Sequence, residues 1–227
     1  MRLLIALSLT LTSSLAAAQT TDEGAGKSRS GAPTRAFELT TGIAYSRGFG
    51  HVDEDASSLR DDARGGPSLQ LGLGYRIDPH FMVGAYFEGS SYLRGAGAED
   101  ETRLYSGAMG LQANYFVLPF DRLNPWVGLG TGVRTYFVDR PNADATAAYG
   151  WDIARASLGL DYRLSPTVSI GPMIGATITT FGAQGDLDEP EKIQDRAPSM
   201  FAFAGFQGRF DIAGAQVASS RSDVASR

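Results

Sequence analysis

The feature that most constrains the fold is an alternation of apolar with small or polar residues, repeated with a period of two along most of the chain. In Leu69–Ile77, every odd position is leucine, tyrosine or isoleucine, and every even position is glutamine, glycine or arginine. Such alternation is typical of a strand with one apolar face. Eight segments show it: 37–46, 68–77, 81–93, 108–117, 126–137, 154–163, 168–179 and 202–212. Bacterial transmembrane barrels have an even number of strands, and a count of eight agrees with this rule.

The connections between these segments alternate in length. The short ones are 78–80, 120–124 and 165–167, and the long ones are about 47–66, 94–102, 139–147 and 182–198. Outer-membrane barrels have short periplasmic turns and longer extracellular loops. The sequence therefore predicts an all-β, eight-stranded antiparallel up-and-down transmembrane β-barrel over residues 36–212, with extracellular loops and both termini periplasmic.

The two ends of the chain lack this alternation. Arg2, the apolar stretch Leu3–Leu11 and the small residues Ala16–Ala18 predict a signal peptide over residues 1–18, which implies export. We interpret 19–35 as a flexible periplasmic leader and 213–227 as a flexible C-terminal tail. The chain has no cysteine, which excludes disulfides, thiolate metal sites and a lipoprotein anchor. Its net charge of −5 gives no basic footprint for nucleic acid.

Alternation alone also fits a soluble, lipocalin-like barrel. The second face, however, is rich in glycine, alanine and serine, whereas a soluble exterior normally carries many lysines, and the chain has only Lys27 and Lys192. Aromatic residues further predict two interfacial girdles. One girdle is at the short-turn ends, with Tyr75, Phe81, Tyr115, Tyr162 and Phe210, and the other is near the long loops, with Tyr45, Tyr92, Tyr105, Phe137 and Phe201.

Two motifs resemble a known family. Asn124–Val133 is similar to the "N-P-aromatic-V-G-x-G-x-G" strand start of the bacterial outer-membrane β-barrels that include the OmpA barrel, OmpX and the opacity proteins, and Gly159–Ser165 resembles their sixth strand and turn. The resemblance implies an architecture and an outer-membrane location, and no chemistry. The 15 residues after Ile212 are too few for a peptidoglycan-binding domain, so the wall-anchoring role of OmpA is not implied. Pro172 predicts a bulge or a local break in the seventh strand.

Acidic and basic residues on the second face are nearly balanced, as a lumen with little water requires. They are Glu38, Glu88, Asp161, Asp211, Arg76, Arg134, Arg155, Arg163 and Arg209. From their depth along the strands we predict that Glu88 pairs with Arg134, Arg155 or both as a central plug, and that the others form a second cluster nearer the periplasm. The alternative is a gate or a narrow conductance path, although eight strands leave room only for side chains.

The sequence predicts no catalytic, cofactor or metal site. A hydrolase would need a histidine beside a nucleophile, and the two histidines lie in a short turn, His80, and in the first long loop, His51. The first and last long loops are acidic and have the oxygen ligands that divalent cations prefer. Because Asp186–Glu189 lacks EF-hand spacing, a solvated loop is the favoured interpretation.

The leading functional prediction is a structural or surface-interaction role, in adhesion or envelope integrity. Its expected partners are outer-membrane lipid and lipopolysaccharide, divalent cations at the acidic loops, and an extracellular ligand that the sequence does not identify. The alternatives are a narrow ion or small-solute channel, then a soluble lipocalin-like ligand-binding barrel or a lipid-A-modifying enzyme.

Overall fold

The computed structural model describes residues 30–52, 58–59, 63–96, 101–140, 145–186 and 190–218. The predicted signal peptide, most of the leader and the end of the tail lie outside these residues. No helix within the described ranges is long and apolar enough to cross a bilayer.

The alternating segments form the strands of one closed barrel. The strands are β1 Ser30–Thr34, β2 Ala36–Phe49, β3 Ala63–Arg76, β4 Phe81–Arg94, β5 Arg103–Phe116, β6 Leu123–Asp139, β7 Thr146–Ser165, β8 Val168–Asp186, β9 Pro190–Lys192, β10 Pro198–Ile212 and β11 Ala215–Ala218. Strands β2 to β8 pair antiparallel in chain order, and β10 pairs with both β8 and β2. The predicted eight-stranded antiparallel barrel is confirmed, and the short β9 adds to the long-loop end of β8.

The strands are longer than the alternation indicated. β7 has 20 residues, twice the predicted 154–163, and β8 has 19. A tilted strand needs only ~9–11 residues to cross a bilayer. The walls of the barrel therefore continue past an apolar band at their long-loop ends.

The outer surface of the barrel is a continuous apolar belt. Leu129 and Leu111 on neighbouring strands are 70% and 69% exposed, and leucines, isoleucines and phenylalanines on the other strands are exposed in the same way. Monomeric soluble proteins rarely expose apolar patches of such extent. The belt is therefore the lipid-facing surface of a transmembrane barrel, which overturns the lipocalin-like alternative.

The long-loop half of the lumen is filled by a hydrophobic cluster: Leu59, Ala63, Tyr92, Leu104, Tyr136, Ala148, Phe181, Ile193 and Phe201. Tyr92 and Phe201 were predicted in the upper girdle, and that prediction is wrong, because they are only 6% and 1% exposed. Tyr92 has the same parity along β4 as Glu88, so both side chains face inward.

The remaining predicted girdle residues face outward. The short-turn girdle of Tyr75, Phe81, Tyr115, Tyr162 and Phe210 is exposed, as are Tyr45 and Tyr105 near the long loops, and Phe137 is half-buried. Tyr149 and Trp151 of β7 complete the upper aromatic band. Both lie before Ala154, where the sixth strand was predicted to begin, so neither was among the predicted girdle residues.

The closing seam of the barrel extends beyond its wall. Thr34 pairs with Ala215 in the register that joins Phe37 to Ile212, so β1 and β11 continue the β2–β10 ladder past kinks at Arg35 and Ala213. Both kink residues have positive φ, 53° and 48°. The predicted leader and tail were expected to be flexible, but β1 in the leader and β11 in the tail form a pair of strands. Neither segment has the apolar period by which a strand is predicted from sequence.

Pro172 produces no bulge. Gly159 pairs with Met173 and Tyr162 with Ile170 in one unbroken register, although Leu160 and Asp161 between them have no partner on β8. The ladder therefore breaks locally, as expected for a residue that has no N–H to donate. A bulge is found instead at Ile153 of β7, because Asp152 pairs with Thr179 and Ala154 with the preceding Ile178.

Candidate functional site

The centre of the lumen contains a buried ion network built on Glu88 of β4. Its Oε1 accepts a hydrogen bond from Nη1 of Arg134 at 3.2 Å, and its Oε2 accepts one from Nη1 of Arg155 at 2.7 Å. The three side chains are almost completely buried. β4, β6 and β7 are not all neighbours in the sheet, so these contacts reach across the lumen.

Asp152 is the fourth member of this central cluster and was not among the predicted lumen residues. Its carboxylate accepts from Nε of Arg134 at 3.0 Å, from the Tyr86 hydroxyl at 3.2 Å and from the Thr179 hydroxyl at 2.6 Å. Strict alternation from Arg155 would turn Asp152 toward lipid, but the bulge at Ile153 returns it to the lumen. In the sequence, the bulge was indicated by a charged residue at a position that regular alternation would turn toward lipid.

Aromatic rings and one amide complete the packing of the central cluster. The Arg134 guanidinium lies 4.3 Å from the Phe201 ring centre, and that of Arg155 lies 4.6 Å from Tyr86 and 4.3 Å from Phe203. Such cation–π contacts strengthen when they are desolvated. The Gln70 amide oxygen accepts from Nη2 of Arg155 at 3.2 Å. Each guanidinium group thus has at least one aromatic ring over it and polar acceptors at its edges.

A second cluster lies nearer the short-turn end. Glu38 accepts from Nη2 of Arg76 and from Nη1 of Arg209. Arg209 also donates from Nε to Asp161 at 2.9 Å, and Arg76 from Nε to Asp211 at 3.2 Å. These five residues were predicted to lie together in this region, and the structure brings them into one chain of ion pairs.

Arg163 was predicted in the second cluster but makes different contacts. It donates to the backbone carbonyls of Pro119 at 3.2 Å and Pro166 at 3.3 Å, at the short-turn end of the barrel. None of the ion pairs among the described residues involves it. Arg163 therefore ties two turns together and does not neutralise a lumen carboxylate directly.

Between the two clusters lies a polar cavity of about 30 Å³, lined in part by Gln70, Gln112, Asn114 and Ser157. A water molecule needs roughly 10–15 Å³ of such volume, so the cavity holds about two. Ion pairs close it on both sides, and the hydrophobic cluster fills the lumen beyond the central one. The arrangement separates the two ends of the lumen by buried charge and packed side chains.

The residues considered for catalysis have other contacts. Nδ1 of His80 lies 2.7 Å from the Phe116 carbonyl oxygen, and the ring stacks on Tyr115 at 5.7 Å. The Ser58 hydroxyl near His51 donates to the Gly50 carbonyl. Within the described ranges, no group of three His, Asp or Glu side chains is arranged to hold a metal ion. Most acidic residues of the first and last long loops lie outside those ranges.

A closed ring of eight strands, an apolar belt and a lumen filled by paired charges together define a small transmembrane β-barrel of the outer-membrane class. Among solved structures, Neisserial surface protein A matches with a TM-score of 0.54 and 15% identity, over 78% of this chain and 97% of that chain. The outer membrane protein OprG from Pseudomonas aeruginosa matches with a TM-score of 0.49 and 15% identity, over 81% and 99%. No protein-family profile and no curated protein matches the sequence. At these identities the likeness shows the fold, which is the OmpA- and OmpX-like architecture that the sequence motifs resemble.

Proposed function

We propose that the protein is a bacterial outer-membrane barrel with a closed lumen, whose role lies at the cell surface in adhesion or envelope integrity. In this proposal the long loops are extracellular and both ends of the barrel-forming chain are periplasmic. The supporting observation is the central cluster, in which Glu88 bridges Arg134 and Arg155 across the lumen. With its passage filled, the barrel offers its outer wall and its loops for interaction.

The proposal includes no catalysis. His80 is held by the Phe116 carbonyl at the short-turn end, far along β4 from the outer leaflet where a lipid-modifying enzyme would act. A general base must be within hydrogen-bond reach of its nucleophile. The hydroxyl of Ser58, which is bridged to His51 in the structure, donates to the Gly50 carbonyl.

A narrow channel is the second candidate, and the polar cavity between the two clusters favours it. Planar-bilayer recording distinguishes the two functions. We expect the unmodified protein to give no stable current steps, because buried ion pairs close the cavity on both sides. Large, stable single-channel currents would contradict the closed lumen and support the channel.

Location and orientation are tested on intact cells. We expect the protein in the outer-membrane fraction, with protease added outside the cells cutting in the long loops and leaving the short turns intact. Cleavage at 78–80 or 165–167 in intact cells would show that the orientation is inverted. Recovery in the soluble fraction would contradict the proposal as a whole.

A further inference from the structure

The apolar belt has a depression on one side of the barrel, near the long-loop end. Cross-strand pairs align Ile43, Leu69, Gly89, Gly107 and Thr135 in one outward-facing row over β2 to β6. The two glycines are adjacent, and a Cβ atom at either would meet no atom within 4 Å. The row therefore has a gap where the neighbouring rows have side chains.

Large side chains border this gap and make it a groove. Tyr45, Tyr105 and Phe137 lie on its long-loop side, and Phe87 and Met109 lie on the opposite side. The part of the groove lined by Tyr45, Tyr105, Phe137 and the two glycines is a shallow, open depression with a volume of about 1080 Å³. It is large enough for a hydrocarbon chain lying against the two glycines.

The level of the groove in the membrane follows from the strands. Gly89 is eight residues from the short-turn end of β4, and Gly107 is nine from that of β5. At ~3.3 Å per residue and a tilt of ~45°, both lie roughly 20 Å above that end. The apolar band of such barrels is ~25 Å tall. The groove is therefore still in the hydrocarbon, close to the interface at the long-loop side.

Three arginines lie immediately beyond the groove. Arg47 and Arg103 are each two residues farther toward the long loops than Tyr45 and Tyr105, and Arg64 is held at the same rim because the Tyr45 hydroxyl donates to its carbonyl at 3.0 Å. None of the ion pairs among the described residues involves these arginines. Nε of Arg47 is buried without a hydrogen-bond acceptor. An apolar gap and a rim of three arginines are thus adjacent, and Asp139 of β6 lies directly across from Arg103.

We propose that the groove binds an acyl chain of a phosphorylated outer-leaflet lipid of the lipid A class, whose phosphate is held by Arg47, Arg64 and Arg103. The inference rests on the proposed function, because it requires the long loops to face outward. Hydrocarbon fills the gap at Gly89 and Gly107, and guanidinium groups bind phosphate with paired, charge-assisted hydrogen bonds. The two halves of the site match the two halves of such a lipid.

The acyl half is tested by filling the groove. The protein is refolded in phosphatidylcholine vesicles containing lipid A, extracted in mild detergent and weighed with its bound lipid by native mass spectrometry. We expect one retained lipid A for the unmodified chain and about tenfold less for G89L/G107L, which has room to fold. The control A154L/A156L adds similar bulk to the outer face of β7, outside the groove, and should retain lipid A normally. Unchanged retention by G89L/G107L, or a dimer of this chain without lipid, would overturn the proposal.

The headgroup half is tested with a second probe and a charge-matched pair of variants. Lipid A lacking its phosphates should be retained about tenfold less than intact lipid A, as expected when charge-assisted hydrogen bonds are lost. R47Q/R103Q should show the same loss, while R35Q/R122Q removes equal charge near the short-turn end and should show none. Equal retention of both probes would refute the phosphate site. Lipid retention is measured only on SDS-resistant, folded barrels, so a variant that fails to fold is not counted as having lost the lipid site. Failure of the unmodified chain to insert into vesicles would contradict the proposed function.

Discussion

Glu88 is a single carboxylate shared by two guanidinium groups from different strands. Arg134 has a second carboxylate partner in Asp152, but Arg155 has no other among its contacts, which are Gln70, Thr177 and two aromatic rings. Removing one partner of a buried ion pair is far more costly than never having the pair, because a buried charge is left uncompensated. The consequence of losing Glu88 should therefore fall mainly on Arg155.

We expect Glu88→Gln to lower the free energy of unfolding by ~3–5 kcal/mol, because it leaves Arg155 buried without a counter-charge. Urea titration in lipid vesicles, read from the folded and unfolded gel bands, measures the change. The control Glu191→Gln removes the same charge at an exposed position and should change stability by less than ~0.5 kcal/mol. Similar losses in both variants would mean that water reaches the central cluster.

At the residue scale, lumen positions were predictable from the sequence where the alternation of the strand is regular. Glu88 and Arg134 were assigned to the lumen because nothing interrupts the period of β4 or β6 near them. Asp152 was missed because one inserted residue reverses the parity of β7 above Ala154. Tyr92 and Phe201 were wrongly placed in the outer aromatic girdle for another reason. Their position near the long loops fits a girdle, but the alternation of their strands turns both side chains toward the lumen.

At the scale of one strand, the bulge at Ile153 lets β7 supply both Asp152 and Arg155 to the lumen. Ile153 and Ala154 face outward in succession, and together they oppose the single residue Thr131 of β6. The Thr131 hydroxyl donates to the Asp152 carbonyl at 2.8 Å, so the interrupted ladder keeps this acceptor paired. Bulges re-aim side chains in this way next to functional regions.

Deleting Ile153 should leave a folded barrel, because Asp152 and Arg155 would then face inward by simple alternation. Deleting Ala156 should prevent normal folding, since this residue pairs in register with Leu129 and Ala176, and its loss turns one part of β7 inside out. The fraction of heat-sensitive folded band after refolding in vesicles compares the two deletions. Failure of both would show that the bulge geometry itself is required.

The apolar belt predicts a penalty for charge that depends on depth. Leu129→Arg lies near the middle of β6 and should cost ~2–4 kcal/mol, whereas Leu93→Arg, at the long-loop end of β4, should cost ~0–1 kcal/mol. Both leucines face outward, with 70% and 59% exposure, so burial does not explain the difference. The same urea titration applies, and equal costs would place the bilayer at another height on the barrel.

At the scale of the whole molecule, closure leaves the barrel wall without a free edge, since β10 pairs with both β2 and β8. We expect the folded protein to resist SDS at room temperature and to change its gel mobility only after boiling, because a closed ladder has no edge strand from which to unravel. A variant carrying Pro at Ala204, where β10 pairs on both sides, serves as the control and should lose this resistance. Mobility of the unmodified protein that is independent of heating would argue against closure.

Strand number, order and loop asymmetry were predictable because each depends on local alternation and turn composition. Strand length was not, since the upper parts of β7 and β8 pack on a hydrophobic cluster that includes Leu59 and Ile193 from the long loops. Such contacts between distant parts of the chain produce no periodic pattern in the sequence of either part. The pairing of β1 with β11 was missed for the same reason, because it depends on the register of the seam.

That seam joins residues about 175 positions apart, such as Phe37 and Ile212, so its closure carries a large entropic cost. β1 and β11 add pairs to it, the outermost being Ser30 with Ala218. A force that pulls β1 away from β11 would act on the outermost pair first and would break the pairs of this short ladder one after another. Only afterwards would tension reach β2 and β10, and the added pairs therefore act as a mechanical clasp on the ring.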